Sequence, residues 1–227
     1  MTFVLQIGER SLEPKRVFCI GRNYEDHIKE LGGAGLNKND KPGTPVLFMK
    51  PASCLHPLGE PIARPPYGDV LHHEVELVLI IGKGGSRIKA AQAREHIAGI
   101  TIGIDLTLRD VQSQLKEKGL PWERAKAFDH SAPVGEVVVL TDEIDLSNLQ
   151  IRCAVNGAIR QDDNTTSMIF TPEVLVSSIS DAWKLLPGDV IFTGTPAGVG
   201  PLEVGDEITI DCPAIGSFSW EIIGPQI

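Results

Sequence analysis

Along residues 71–84, LHHEVELVLIIGKG, Val75, Leu77, Leu79 and Ile81 fall on one parity, and Glu74, Glu76, Val78 and Ile80 on the other. Successive strand side chains point to opposite faces, so this alternation predicts one long strand over 71–82 with both glutamates on one face. In GITIGIDLT (99–107), Ile100, Ile102 and Ile104 alternate with Thr101, Gly103 and Asp105. That predicts a second strand with Asp105 at its end, on the less apolar face. RVFCIG (16–21) and VLFMKP (46–51) read as short strands, and VGEVVVL, LQIRCAVNG, DVIFTGTP, DEITIDC and SFSWEII carry further strand signals.

Helical patterns are fewer. NYEDHIKELGG (23–33) predicts a short helix with Asn23 as N-cap and Gly32 past its end. AQAREHIAG (91–99), LRDVQSQLKEKG (108–119) and TPEVLVSSISDAWKL (171–185) follow, the second stopped by Gly119 and Pro121. The segment 32–45, rich in Gly, Asn, Lys and Pro, predicts a mobile loop. Strands in runs with few helices indicate an α+β, mainly β fold, and no repeat or linker divides residues 1–227.

A formal net charge of −9 argues against a nucleic-acid partner, whose binding needs clustered Lys and Arg. An acidic protein that handles an anion needs local positive charge, from a metal, Lys or Arg. Cys19, Cys54, Cys153 and Cys212 form no C-x-x-C pair, which suits a reducing compartment and offers neither a zinc knuckle nor a disulfide framework. The first residues lack a basic segment followed by an apolar one, and no apolar run approaches the ~20 residues that span a bilayer. The expectation is a soluble, cytoplasmic protein with no membrane partner.

Buried charge is costly unless compensated, which makes Glu74 and Glu76 the first candidates for chemistry. On one strand face their Cβ atoms lie roughly 7 Å apart, close enough to share a divalent cation; the alternative is a half-solvated strand with both carboxylates in water. His72 and His73 point to opposite faces, which suits supporting roles better than ligation. TGTPAGVG (193–200) lacks the G-K-[ST] ending of a phosphate loop and precedes strand-like sequence, leaving either a carboxylate cradle or an ordinary turn. His27 and Glu30, three apart on the short helix, form either a general-base dyad or a solvated face. Lys126 alone reads as a surface lysine. No G-x-S-x-G elbow occurs, so acyl-enzyme chemistry has no visible nucleophile.

Taken together, GRNYEDHIKELG, PVLFMKP, LHHEVELVLIIGKG, IGIDLTLRDVQ, KGLPWERAKAFD, VNGAIRQDDNTTSMIF and GDVIFTGTPAGVGPLEVGDEI resemble the fumarylacetoacetate hydrolase family, in its short acylpyruvate hydrolase and oxaloacetate decarboxylase branch. The resemblance implies a single catalytic domain, a mixed β-sandwich roll, with a mobile lid helix and loop at about 23–45. It also implies a homodimer. Glu74, Glu76 and Asp105 would hold Mg²⁺ or Mn²⁺, which agrees with the preference of hard cations for all-oxygen sites. His27, Glu30 and Lys126 take catalytic roles by the same resemblance, and Arg22, Tyr24, Lys50, Arg109, Gln112, Gly194 and Thr195 contact a small 2-keto acid. The activity implied is hydrolysis of acylpyruvates to pyruvate and a carboxylic acid. Alternatives are oxaloacetate decarboxylation or tautomerisation, an isomerase of the 2-hydroxyhepta-2,4-diene-1,7-dioate type, and a non-catalytic 2-keto-acid-binding dimer.

Overall fold

The computed structural model describes residues 3–30 and 43–226. Its centre is a six-stranded sheet in the order Val138–Val139, Ile97–Ile104, Val75–Ile81, Val190–Phe192, Arg16–Gly21, Val46–Pro51. Neighbours run antiparallel except that Val190–Phe192 lies parallel to Arg16–Gly21. A five-stranded sheet, in the order Ala158–Asn164, Gln150–Val155, Glu207–Cys212, Gly216–Ile223, Ile62–Ala63, supplies a second layer. A three-stranded sheet joins Thr107–Leu108, Leu71–His73 and Gly200–Leu202.

The parity of the Val75–Ile81 strand explains the layering. Leu77, Leu79 and Ile81 join one core with Ile151, Cys153, Ile208, Ile210 and Trp220 of the five-stranded sheet and with Leu175, Val176 and Ile179 of the Pro172–Ala182 helix. Val78 and Ile80 join a second core with Leu5, Ile7, Val17, Cys19, Val190 and Phe192. The strand is therefore buried on both faces, where a half-solvated one was the alternative. Mixed sheets packed around few helices make the fold mainly β, as the strand runs implied. Among the described residues no helix is long and apolar enough to cross a membrane.

Several sequence expectations are corrected. The 71–82 run is two strands, Leu71–His73 and Val75–Ile81, which belong to different sheets, with Glu74 at the break between them. The predicted helix at 91–99 is a 3₁₀ segment, Ala90–His96, because the next strand already begins at Ile97. Asn23 does not cap the Glu25–Glu30 helix: its side-chain amide donates to Phe170 O and Thr193 O and accepts from Phe170 N. Three backbone partners from the far end of the chain outcompete a local cap. The loop expected at 32–45 lies, as far as residue 42, outside the described residues.

Candidate active site

Glu74, Glu76 and Asp105 converge at the ends of the two long central strands. Glu74 immediately precedes one strand and Asp105 follows the other, and Asp105 N donates to Glu74 O at 2.8 Å, closing the ladder. Glu76 pairs with Gly103 across that ladder. A Cβ at Gly103 would lie 2.9 Å from the Phe192 ring, so glycine lets the neighbouring strand approach. All three carboxylates are buried, and their candidate ligand oxygens lie within 4.8 Å of one another.

Three buried or half-buried cations surround them. Lys126 Nζ donates to Glu74 Oε2 at 2.7 Å and to Asp105 Oδ2 at 2.6 Å. Arg109 Nη2 pairs with Glu74 Oε1, while Arg109 Nη1 donates to Gln112 Oε1 at 2.7 Å. Lys50 Nζ lies 2.8 Å from Asp105 Oδ1 and donates to Ser131 O and Leu106 O. Burial alone would raise the Glu74 pKa, but Lys126, Arg109 and His27 outweigh it and hold it well below the usual carboxylate range. Burial also works against the Lys126 charge, yet Asp105 and Glu74 raise its pKa overall. Glu76 goes the other way: burial, then repulsion from Asp105 and Glu74, push it well above the ordinary value.

This donor set fits a hard divalent cation. It is all oxygen, and among the described residues Asp105 Oδ1 is a buried atom with no aligned donor and Glu76 has no ion-pair partner of its own. Glu76 Oε2 instead accepts from Gly194 N at 2.7 Å. Gly194 has φ +98°, and a Cβ there would lie 2.7 Å from Asn23 Cβ, so the TGTP loop reaches the carboxylate only with glycine at this point. Thr193 Oγ1 anchors the same loop to Leu77 O at 2.8 Å.

The cavity over this cluster has a volume of about 310 Å³ and is lined by His27, Gln112, Thr195, Trp122, Arg22 and Lys116 together with the cluster itself. His27 is buried, and its Nδ1 lies 3.5 Å from Glu30 Oε2, an ion-pair distance longer than a hydrogen bond. Glu30 accepts from Gly198 N at 3.0 and 3.1 Å, which ties the short helix to the TGTPAGVG loop. Burial lowers the His27 pKa, with Glu74 and Glu30 opposing and Arg109 assisting, so its imidazole is neutral at pH 7. At the mouth, Lys116 Nζ sits 5.1 Å from the Trp122 ring centroid. The surrounding protein desolvates this accessible ammonium and, with repulsion from Arg109 and Arg22, draws its pKa down to about 8.

Most residues singled out in the sequence thus meet around one cavity. Lys50 braces Asp105 from beneath, Gly194 contributes its N–H, and Glu30 stands behind His27. Tyr24 does not join them: it is buried, takes part in a β-bridge with Met168, and lies off the cavity wall. Lys126, which alone reads as a surface lysine, is 3% exposed. His72, half-buried against Arg109 Nε at 3.5 Å, is kept neutral with a pKa of about 4 by burial and then by that guanidinium. His73 is buried against Gln161. Lys116, Trp122 and Gln161 went unnoticed in the sequence. Gln161 carries no signal of its own in the sequence, although it is the one buried position of the Ala158–Asn164 strand.

Comparison with known proteins gives this geometry a context. The chain is 40% identical to the mitochondrial oxaloacetate tautomerase of Homo sapiens, over 93% of each chain. It is 43% identical to the oxaloacetate tautomerase of Escherichia coli K12, over 86% of this chain and 87% of that one. The fold superimposes with a TM-score of 0.91, at 36% identity, on fumarylpyruvate hydrolase from Pseudomonas aeruginosa, solved with Mn²⁺ and pyruvate, covering 98% of this chain and 96% of that one. Residues 16–223 match the model of the fumarylacetoacetate hydrolase C-terminal domain, and with relatives this similar along nearly the whole length, the chain belongs to the fumarylacetoacetate hydrolase family.

Proposed function

We propose that this protein binds a dianionic 2-oxo acid and moves a proton at its C3, with keto–enol interconversion of oxaloacetate as its reaction. The observation that carries this reading is the charge balance of the site. Three carboxylates, Glu74, Glu76 and Asp105, already face three cations, Lys50, Lys126 and Arg109. A divalent ion leaves two positive charges over in this cluster, and the cavity wall adds Arg22 and Lys116 against Glu117, so the metal-loaded cavity is cationic and suits a dianion in surroundings where imbalance is expensive. The names borne by the human and bacterial relatives support the same substrate.

Mg²⁺ or Mn²⁺ held by Glu74, Glu76 and Asp105 would supply Lewis-acid stabilisation of negative charge developing on the 2-oxygen. The chain's own residues do the rest. Arg109 spends both terminal nitrogens on Glu74 and Gln112, so its task is to hold a ligand carboxylate in place. The Thr195 hydroxyl meets the substrate's 1-carboxylate, and Lys116 and Arg22 at the mouth receive the distal one. His27, kept neutral by burial, accepts the C3 proton as the double bond forms and delivers it to the 2-oxygen. Glu30 steadies the transient imidazolium, and Lys126 follows the charge on the oxygens. Homodimeric assembly belongs to this reading and is checked by sedimentation.

A second reading, hydrolytic C3–C4 cleavage of an acylpyruvate, is favoured by the fold match to fumarylpyruvate hydrolase. It uses the same enolate, but His27 would activate water instead. Two assays with Mg²⁺ separate them: enol absorbance of oxaloacetate, and pyruvate release from fumarylpyruvate and acetylpyruvate. Accelerated enol decay with little pyruvate release supports the tautomerase. Rapid pyruvate release with unaltered enol decay overturns it in favour of hydrolysis, and inertness in both assays defeats both readings.

A further inference from the structure

We infer that Gln161, which lies outside the cavity wall, sets the direction in which the Thr195 hydroxyl donates, and so makes Thr195 a committed donor to the substrate carboxylate. The inference rests on the 2-oxo acid reading above. Gln161 is fully buried and its amide orientation is fixed by two backbone groups. Val75 N can only donate, and it meets Oε1 at 3.0 Å; Pro196 O can only accept, and it meets Nε2 at 2.9 Å. The remaining Nε2 proton then goes to Thr195 Oγ1 at 2.8 Å, and the remaining Oε1 lone pair accepts from His73 Nδ1 at 2.9 Å. All four hydrogen-bonding positions of the amide are used.

The consequence falls on Thr195. Its oxygen already accepts a hydrogen bond, so its own proton needs an acceptor, and none is bonded to it among the described residues. Thr195 is buried yet lines the cavity, where a carboxylate is the natural acceptor. A hydroxyl that accepts one hydrogen bond donates the next more strongly. Gln161 also ties this hydroxyl to the backbone immediately after Glu74, so the carboxylate donor and a metal-facing glutamate keep a fixed spacing. It is a positioning residue acting through Thr195.

Glutamate at 161 preserves shape and can still accept from Val75 N and His73, but it cannot donate to Thr195 or to Pro196 O. The hydroxyl would turn its proton toward the new carboxylate and present a lone pair to the substrate. The test measures KM and kcat for oxaloacetate, and inhibition by pyruvate, at saturating Mg²⁺ in wild type, Thr195→Val, Gln161→Glu and the double variant. Loss of one hydrogen bond to a charged group predicts KM and the pyruvate inhibition constant raised on the order of 10–100-fold in each single variant. The double variant should be no worse than Thr195→Val, and kcat should change far less than KM. A purely structural role would instead lower kcat through the active fraction and leave KM unchanged.

A wild-type KM in Gln161→Glu, or multiplicative effects in the double variant, overturns the inference. An unchanged KM in Thr195→Val overturns it at its base, because the carboxylate reading of Thr195 has then failed. Should Gln161→Glu not fold, Gln161→Met leaves the Thr195 hydroxyl undirected but able to donate, so KM should rise by less than in Thr195→Val and a wild-type KM overturns the inference, while Thr195→Ser should keep near-normal KM.

Discussion

Glu76→Gln and Asp105→Asn each replace a carboxyl group of the same cluster with a neutral amide, yet the structure predicts very different effects on the metal-free protein. Glu76 has its pKa raised by burial and by its two acidic neighbours, which favours its protonated form when no metal is bound. Glutamine mimics that neutral state, can still accept from Gly194 N, and offers its own protons to neighbouring carboxylates. The metal-free variant should therefore unfold within about 2 °C of wild type, a shift of under ~1 kcal/mol for a domain of this size. Asp105, by contrast, sits between Lys50 Nζ at 2.8 Å and Lys126 Nζ at 2.6 Å. Removing its charge leaves the buried Lys50 ammonium without its carboxylate and Lys126 with Glu74 alone, a loss of about 3–5 kcal/mol, or roughly 6–20 °C. Metal binding reads the other half of the argument. At 100 times its Kd an ion stabilises wild type by about 2.7 kcal/mol, roughly 5–11 °C, and neither variant should show that shift. Thermal unfolding in EDTA and in excess Mg²⁺ or Mn²⁺ measures all of these quantities. Metal-free Glu76→Gln falling as far as Asp105→Asn, or keeping the full metal-induced shift, would refute the reasoning.

Metal affinity should rise with pH, about tenfold per unit while Glu76 is protonated, because ligation displaces its proton; calorimetry in buffers of differing ionisation enthalpy should show release of about one proton. His27→Ala should cost about 10²–10⁴-fold in kcat, and the loss should be far smaller if His27 only lines the cavity. Because burial depresses the His27 pKa, the imidazole stays basic until the pH falls through a value below ~6.5, so the acid limb of kcat/KM should lie there; a limb above pH 7 assigns the proton to another group. In Gly198→Ala the new Cβ would lie 2.1 Å from Arg160 O at a φ of +95°, displacing the N–H that holds Glu30. That variant should lose roughly tenfold or more in kcat through misplacement of the dyad, with the metal-induced stabilisation intact.

Much of the site was legible because its signals are local. Two glutamates on one strand parity, and an aspartate closing an alternating run, state their facing directly in the sequence. The break at Glu74 was not legible, since hydropathy is blind to a strand that leaves one sheet for another within a continuous apolar run. Asn23 carries a sound capping signal, but Phe170 and Thr193 reach it from the other end of the chain. Lys126 looked like a surface lysine because the carboxylates that bury it stand 52 and 21 residues away. Gln161 hides in a strand whose other residues are mostly polar and largely accessible, and only its tertiary partners distinguish it.

The strand Val190–Phe192 sits between Arg16–Gly21 and Val75–Ile81 in the middle of the central sheet, although it is made more than a hundred residues after either. During synthesis the two older strands therefore wait with facing edges unpaired, for roughly 5–20 s at ~5–20 residues per second. Unpaired apolar edges are templates for association with other chains. The Gly194 N–H that Glu76 accepts follows immediately behind the missing strand. Nascent chains stalled before this point hold both an adhesive gap and an unfinished carboxylate cage, which makes this interval the one where a chaperone has most to protect.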